Sequence, residues 1–198
     1  MRIWVSLIAT LFALLGISAP ARPQGVEGWD RYLDRPRGPY RAQVVDADSK
    51  APLVGAVVVA LWRRDRVYPL HIETENHAVR EVVTDSDGRF ILDATDIERS
   101  APRRTRKPEF LIFKPGYGSF PSSQRAPRGF TGGIFEGSGV TVELPKLSDQ
   151  DERRRHLRDI SPHSWSDDPF KELPELMRIV NEERDAVGLS TYGPAAKP

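Results

Sequence analysis

The sequence predicts a mainly β protein: an antiparallel β-sandwich of about seven strands with a helical extension at its C-terminal side. Three observations lead there. Short runs of strand-forming residues recur between turn signals from Tyr40 to Leu144. The stretch from Val82 to Leu92 sets Asp87-Gly88 between apolar flanks. That is a strong short-range hairpin signal, because Gly accepts the positive φ of a tight turn. After Pro145 the apolar spacing changes from that of strands to that of helices.

Tyr40 to Asp46 is the first expected strand, and Asp46 to Pro52 a polar turn. Ala56 to Trp62 is a continuous apolar run of strand length, which suits a central strand covered on both faces. Ala78 to Thr84 and Arg89 to Leu92 are expected as the two arms of a hairpin, with Phe90 and Leu92 on one face. Its turn is built by Asp85, Asp87 and Gly88; the Asp85 and Ser86 side chains can bond nearby backbone N–H groups. Phe110 to Phe113 is a further strand, closed by Pro115-Gly116. Val140 to Leu144 alternates apolar and polar residues cleanly.

The extension covers residues 145–198. Ser148 is the expected N-cap of a first helix, with Asp149, Asp151 and Glu152 in its first turn and Arg153 to Arg155 beyond, an order that suits the helix dipole. A second helix carries the stripe Leu173, Leu176, Met177, Val180 and Val187, and Gly188 is its expected C-cap. Such a stripe must be buried, against the sandwich as the first expectation and on a partner as the second. Thr191 to Pro198 reads as a frayed tail.

The first 21 residues read as a signal peptide: a positive Arg2, an apolar run from Ile3 to Ile17, and Ala19-Pro20-Ala21 as the cleavage pattern. The run is shorter than the ~20 residues that span a bilayer. Cleavage after Ala21 is therefore expected, with retention as an anchor the second choice. Residues 22–39 form an irregular leader rich in Pro, Gly and Arg, with Trp29, Tyr32 and Leu33 on a common face. The expected location is outside the cytoplasm, in the periplasm or extracellular space, with no transmembrane span in the mature chain. The 29 basic and 28 acidic residues leave a net charge of +1, and loss of Arg2 leaves 28 of each. That balance gives no global argument for nucleic acid. The absence of Cys excludes a lipoprotein anchor, a disulfide framework and a thiolate metal site.

Several motifs follow one another in order: Val45-Asp46-Ala47-Asp48, Ala51-Pro52-Leu53-Val54-Gly55-Ala56-Val57-Val58, Thr84-Asp85-Ser86-Asp87-Gly88-Arg89-Phe90 and Pro115-Gly116-Tyr117. Together they resemble the carboxypeptidase regulatory-like domain, a transthyretin-like (prealbumin-like) β-sandwich, over residues 40–144. The resemblance implies a non-catalytic module of an exported bacterial protein. It implies no peptidase activity, because nothing in the chain resembles the peptidase domain and no zinc-type His-x-x-Glu pair occurs. Two connections are long for this pattern, Arg63 to Asn76 and Arg99 to Pro108.

Chemistry is sparse. His71, Glu73, Glu75 and His77 alternate, so an extended strand puts them in one row, and imidazole with carboxylate suits a divalent metal. The row is ~20 Å long at ~3.3 Å per residue, so only neighbours could share an ion. A metal-dependent enzyme or metal-binding protein using His71 and His77 is the alternative reading. Asp85-Ser-Asp87-Gly88 places Gly fourth, where a calcium loop of the EF-hand type needs it sixth, so the turn reading prevails. Arg99, Arg103, Arg104, Arg106 and Lys107 form a basic loop, with Arg103, Arg104, Arg106 and Lys107 the candidates for an anionic partner. No aromatic residue interleaves with them, which disfavours nucleic acid. Transthyretin-like hydroxyisourate hydrolases end in Tyr-Arg-Gly-Ser, where this chain has Tyr192-Gly193, and intradiol dioxygenases need two Tyr and two His on one iron, a spacing not seen here. No nucleophile–base motif and no phosphate loop occur. The sequence therefore predicts a non-enzymatic binding or structural module of the cell envelope, with no cofactor. Its partner is an envelope protein or an anionic glycan or lipid, met through the two long connections, since loops carry recognition.

Overall fold

A computed structural model describes residues 38–122 and 140–193. The signal segment, its cleavage site, the leader up to Arg37 and the end of the tail lie outside the described residues. Strands β1 (Tyr40–Asp46), β4 (Arg89–Leu92) and β6 (Thr141–Leu144) form one sheet in the order β4-β1-β6. Strands β2 (Val57–Val67), β3 (Ile72–Val83) and β5 (Glu109–Phe113) form the other in the order β3-β2-β5. Six strands thus make the sandwich among the described residues, against about seven expected. Nor is it wholly antiparallel: β6 runs parallel to β1, with Val44 beside Val142.

The inner faces meet in one core. Tyr40, Ala42, Val44, Phe90, Leu92, Val142 and Leu144 come from the first sheet, and Val58, Ala60, Trp62, Phe110 and Ile112 from the second. These are alternate residues of each strand, as a pleated backbone requires. The intervening residues of the second sheet, Val57, Val59, Leu111 and Phe113, face the other way. There they pack against Leu157, Leu173, Leu176, Ile179, Val180 and Val187 of the extension. Strand β2 is therefore covered on both faces, which is why its first six residues are all apolar. The described residues form three layers, sheet on sheet on helices.

The helices are α2 (Gln150–Asp159), α3 (Pro169–Glu172) and α4 (Pro174–Ala186); a short α1 (Thr95–Ser100) follows β4. Asp149, not Ser148, caps α2 by accepting the N–H groups of Asp151 and Glu152. The two residues are adjacent and both able to cap, and only the chain direction decides between them. The expected stripe on α4 is buried, and Gly188 ends that helix at φ +73°. Two carboxylates fasten this layer. Glu81 of β3 accepts the N–H groups of Glu175 and Leu176, at 2.8 and 2.9 Å, capping α4 from outside it. Buried Glu183 takes a bidentate bond from Arg153 of α2 and the N–H of Gly116. Among the described residues no helix is long and apolar enough to cross a membrane.

The Asp85–Gly88 turn forms, but not as a hairpin. Asp85 Oδ1 accepts the N–H groups of Asp87 and Arg89 at 2.9 and 2.8 Å, and Gly88 sits at φ +69°. A Cβ on Gly88 would collide with the Val44 carbonyl oxygen and lie 3.0 Å from Leu53 N. The arms do not pair with each other. β3 pairs with β2 and β4 with β1, so the turn carries the chain from one sheet to the other. The apolar part of β2, Val57 to Trp62, has a ladder on each side, with β3 on one and β5 on the other.

Candidate functional site

The two long connections are one feature. Arg63 to Asn76 is not a loop: β2 and β3 run on past the sandwich as a two-stranded ribbon, paired from Arg63↔Asn76 to Val67↔Ile72. Charged residues keep this pairing in water by matching across the strands. Arg64 and Arg66 both bind Glu75, Arg66 Nε at 2.7 Å. The Arg66 guanidinium, with Arg64 beside it, holds the Glu75 carboxyl below its usual range. At the tip the Tyr68 N–H donates to the His71 carbonyl at 2.9 Å, and the two rings stack 4.7 Å apart.

The segment from Arg99 to Pro108 lies along the ribbon's base. Thr105 forms a bridge with Arg64 and is fully buried. The Asp65 N–H donates to the Arg104 carbonyl at 3.1 Å, and the Arg106 N–H to the Arg63 carbonyl at 2.6 Å. The side chains close the joint: Arg106 lies 2.7 Å from the buried carboxylate of Asp65, and Thr74 Oγ1 donates to that same carboxylate at 2.9 Å. A buried carboxylate is costly unless paired and hydrogen-bonded, and Asp65 is both. These bonds hold Arg104 in left-handed backbone at φ +67°, a conformation that non-Gly residues seldom adopt.

The predicted site residues therefore fall into three groups. Arg103 and Arg104 are exposed, Lys107 is half-buried, and Arg106 is committed to Asp65. The basic segment is braced rather than loose. Asp85, Asp87 and Gly88 form the inter-sheet turn, just past the end of β3 opposite the ribbon. The row His71, Glu73, Glu75, His77 is broken. Pairing passes from Trp62↔Ala78 to Arg63↔Asn76, so His77 is the extra residue of a β-bulge. His77 lines a pocket of about 280 Å³ with Leu61, Val79, Trp165 and Ser166, and burial lowers its pKa. Glu75 instead faces Arg64 across the ribbon, Glu73 is exposed opposite Arg66, and His71 stacks in the turn. Among the described residues no three His, Asp or Glu side chains come together to hold a metal.

Sequence reasoning missed the apolar tip. Every residue from Arg66 to Thr74 is exposed. Leu70 is 96% exposed, Ile72 59%, Val67 51% and Tyr68 40%. The available signal was the mirrored charge pattern, Arg64 and Arg66 before Pro69 against Glu73 and Glu75 after it, which is the signature of a cross-strand pair.

No family model matches the chain, and no curated protein does either. The expected likeness to carboxypeptidase regulatory-like domains is therefore not supported by a family model. Among solved structures, a Streptococcal ancillary pilin is 18% identical over 58% of this chain and 31% of that one, with a TM-score of 0.29. A 9R-lipoxygenase from Cyanothece is 18% identical over 54% of this chain and 15% of that one, with a TM-score of 0.25. The match spans under a third of the pilin, and neither similarity is close enough to carry a function across.

Proposed function

We propose that the protein is a non-catalytic, exported binding module of the cell envelope, and that the ribbon and the basic segment are its recognition element for an anionic envelope component. The observation that carries this reading is the joint at Asp65. The two connections singled out as recognition segments are bound into one projecting unit by Asp65, Thr74 and Arg106. A sandwich needs its faces for its core, whereas a rigid projection is free to meet a partner. The exposed charge beside it is basic, from Arg103 and Arg104.

Retention on isolated envelope material tests the proposal. Binding should fall between low and high salt, because exposed charges are screened within ~10 Å at 0.1 M. The variant Arg103→Ser, Arg104→Ser, Lys107→Ser should lose that binding while keeping its denaturation midpoint. Arg106 is left intact because it pairs with buried Asp65. Equal retention of wild type and variant, or no response to salt, would overturn the reading. Mass spectrometry of the N-terminus tests export, with Arg22 the expected first residue.

A further inference from the structure

We infer that the ribbon tip inserts into the headgroup layer of an anionic phospholipid bilayer, with Arg103 and Arg104 held at the level of the phosphates; this rests on the proposed role as an envelope-binding module. Four large apolar side chains, Val67, Tyr68, Leu70 and Ile72, stand in water at the end of a two-stranded projection. They are too few for a stable protein interface, which takes ~20–30 residues a side. A narrow apolar tip that enters the interface without spanning it fits a lipid surface better. Tyr68 adds the amphipathic aromatic that favours the headgroup level.

The spacing agrees with that placement. Arg104 sits beside Asp65, and the turn begins three residues further out. At ~3.3 Å per residue the tip lies about 10 Å beyond the cations. Apolar groups of interfacial segments sit ~5–10 Å into the headgroup and acyl boundary. The charge agrees as well. Residues 99–107 hold five basic side chains and no acidic one, of which Arg106 is paired with Asp65, and the ribbon's Arg64 and Arg66 are balanced by Glu75, which binds both, and by Glu73 opposite Arg66. The excess positive charge is therefore on the braced segment at the ribbon's base. The stacked rings of Tyr68 and His71 fix the turn before binding, so little ordering is required on contact.

The chain has no Cys, so a fluorophore can be placed at one position cleanly. We would label Leu70→Cys with an environment-sensitive dye on the purified full chain, and Val54→Cys as control. Val54 is exposed and precedes β2 at the end away from the tip. A probe at the tip reports insertion there whatever the apolar N-terminal run does. With phosphatidylglycerol–phosphatidylcholine vesicles the tip probe should shift to the blue and be quenched by nitroxide lipids, while the control stays unchanged. Arg103→Ser with Arg104→Ser should weaken the shift's vesicle affinity by about thirtyfold, the effect of two cations lost from an anionic surface. Phosphatidylcholine alone should give no shift. Envelope retention that depends on Arg103 and Arg104 with no tip response to vesicles overturns this inference and leaves the binding-module reading standing. Loss of both overturns both. A tip signal that grows with protein concentration in the absence of lipid makes a second copy the occupant and also overturns it.

Discussion

Strands β2 and β3 form a single antiparallel ladder, yet its two halves obey different rules. From Val57 to Trp62 every residue of β2 is buried and apolar. From Arg63 to Val67 the same strand is mostly charged, and its partner residues are charged or exposed. The β2–β3 bonding is alike in both halves, while the inner half of β2 also pairs with β5 from Val57 to Leu61. What differs is what stands behind it. The inner half is held by two cores, one on each face. The outer half is held by cross-strand ion pairs and by the joint at Asp65. The bulge at His77 marks the change. A ladder alone is marginal in water, so each half persists through side-chain contacts of its own, and each should fail separately.

The largest effect is expected in the body. Gly88→Val puts a β-branched residue at φ +69° and drives its Cβ into the Val44 carbonyl. The cost should be about 3 kcal/mol, combining backbone strain with displacement of two strands. Chemical denaturation reads it as a lowered midpoint for the whole protein. An unchanged midpoint would mean that the turn relaxes at no cost.

Next comes the joint. Asp65→Ala removes the carboxylate that Arg106 and Thr74 share. The expected loss is about 2 kcal/mol, below the full value for a buried pair because Arg106 keeps some access to water. Amide exchange should localise it. Residues 63–76 should exchange faster in the variant while residues 57–62 keep their protection. If both halves open together, the ladder is one cooperative unit and its halves do not fail separately.

How much of this was legible in sequence follows from the same contrast. The body was readable, because period and burial agree: the six apolar residues of β2, the alternation of Val140 to Leu144 and the stripe from Leu173 to Val187 all report their own faces. Sheet membership was not. Asp85 and Gly88 make the same local turn whether the chain returns beside itself or crosses to another sheet, and the choice is set by β2's need for a partner. The parallel pairing of β6 with β1 is likewise a matter of topology. The ribbon was hidden because charge on both faces looks like a loop. Only the match of Arg64 and Arg66 to Glu75, read across Tyr68–His71, gives it away. Asp65 could not be picked out, since nothing in its neighbours in the chain shows that a segment forty residues later covers it.

A smaller effect separates body from ribbon by pH. His156 is buried near Phe113, and its Nε2 has no hydrogen-bond partner among the described residues. Burial lowers its pKa below the ordinary 6.5, against the pull of Asp159, Glu183 and Glu152. The unfolded chain therefore takes up the proton first. Stability is full above pH ~6.5 and is lost as pH falls through that value toward the folded pKa. His77 at the bulge is shifted the same way, so the two act together. His156→Phe should flatten the body's share of the slope and leave the exchange of the ribbon tip unaltered. An identical pH slope in wild type and variant would remove His156 as the source.

The smallest expected effect on stability is at the tip, and it sharpens the comparison most. Leu70 is 96% exposed, so Leu70→Asp removes no packing and buries no charge. Substitutions of that kind stay within about 0.5 kcal/mol. A carboxylate at the tip nevertheless opposes both an apolar boundary and an anionic surface. The variant should keep the wild-type midpoint and pH profile and lose vesicle binding by about tenfold or more, from one lost apolar anchor and one added like charge. Residues of the body hold the fold, and truncating them costs stability whatever the protein binds. The tip contributes almost nothing to the fold, so a solvent-exposed Leu between Pro69 and His71 has no structural reason to be there. If Leu70→Asp lowers the midpoint by as much as Asp65→Ala, the tip is packed against something in the protein itself, and its exposure is not free for a partner.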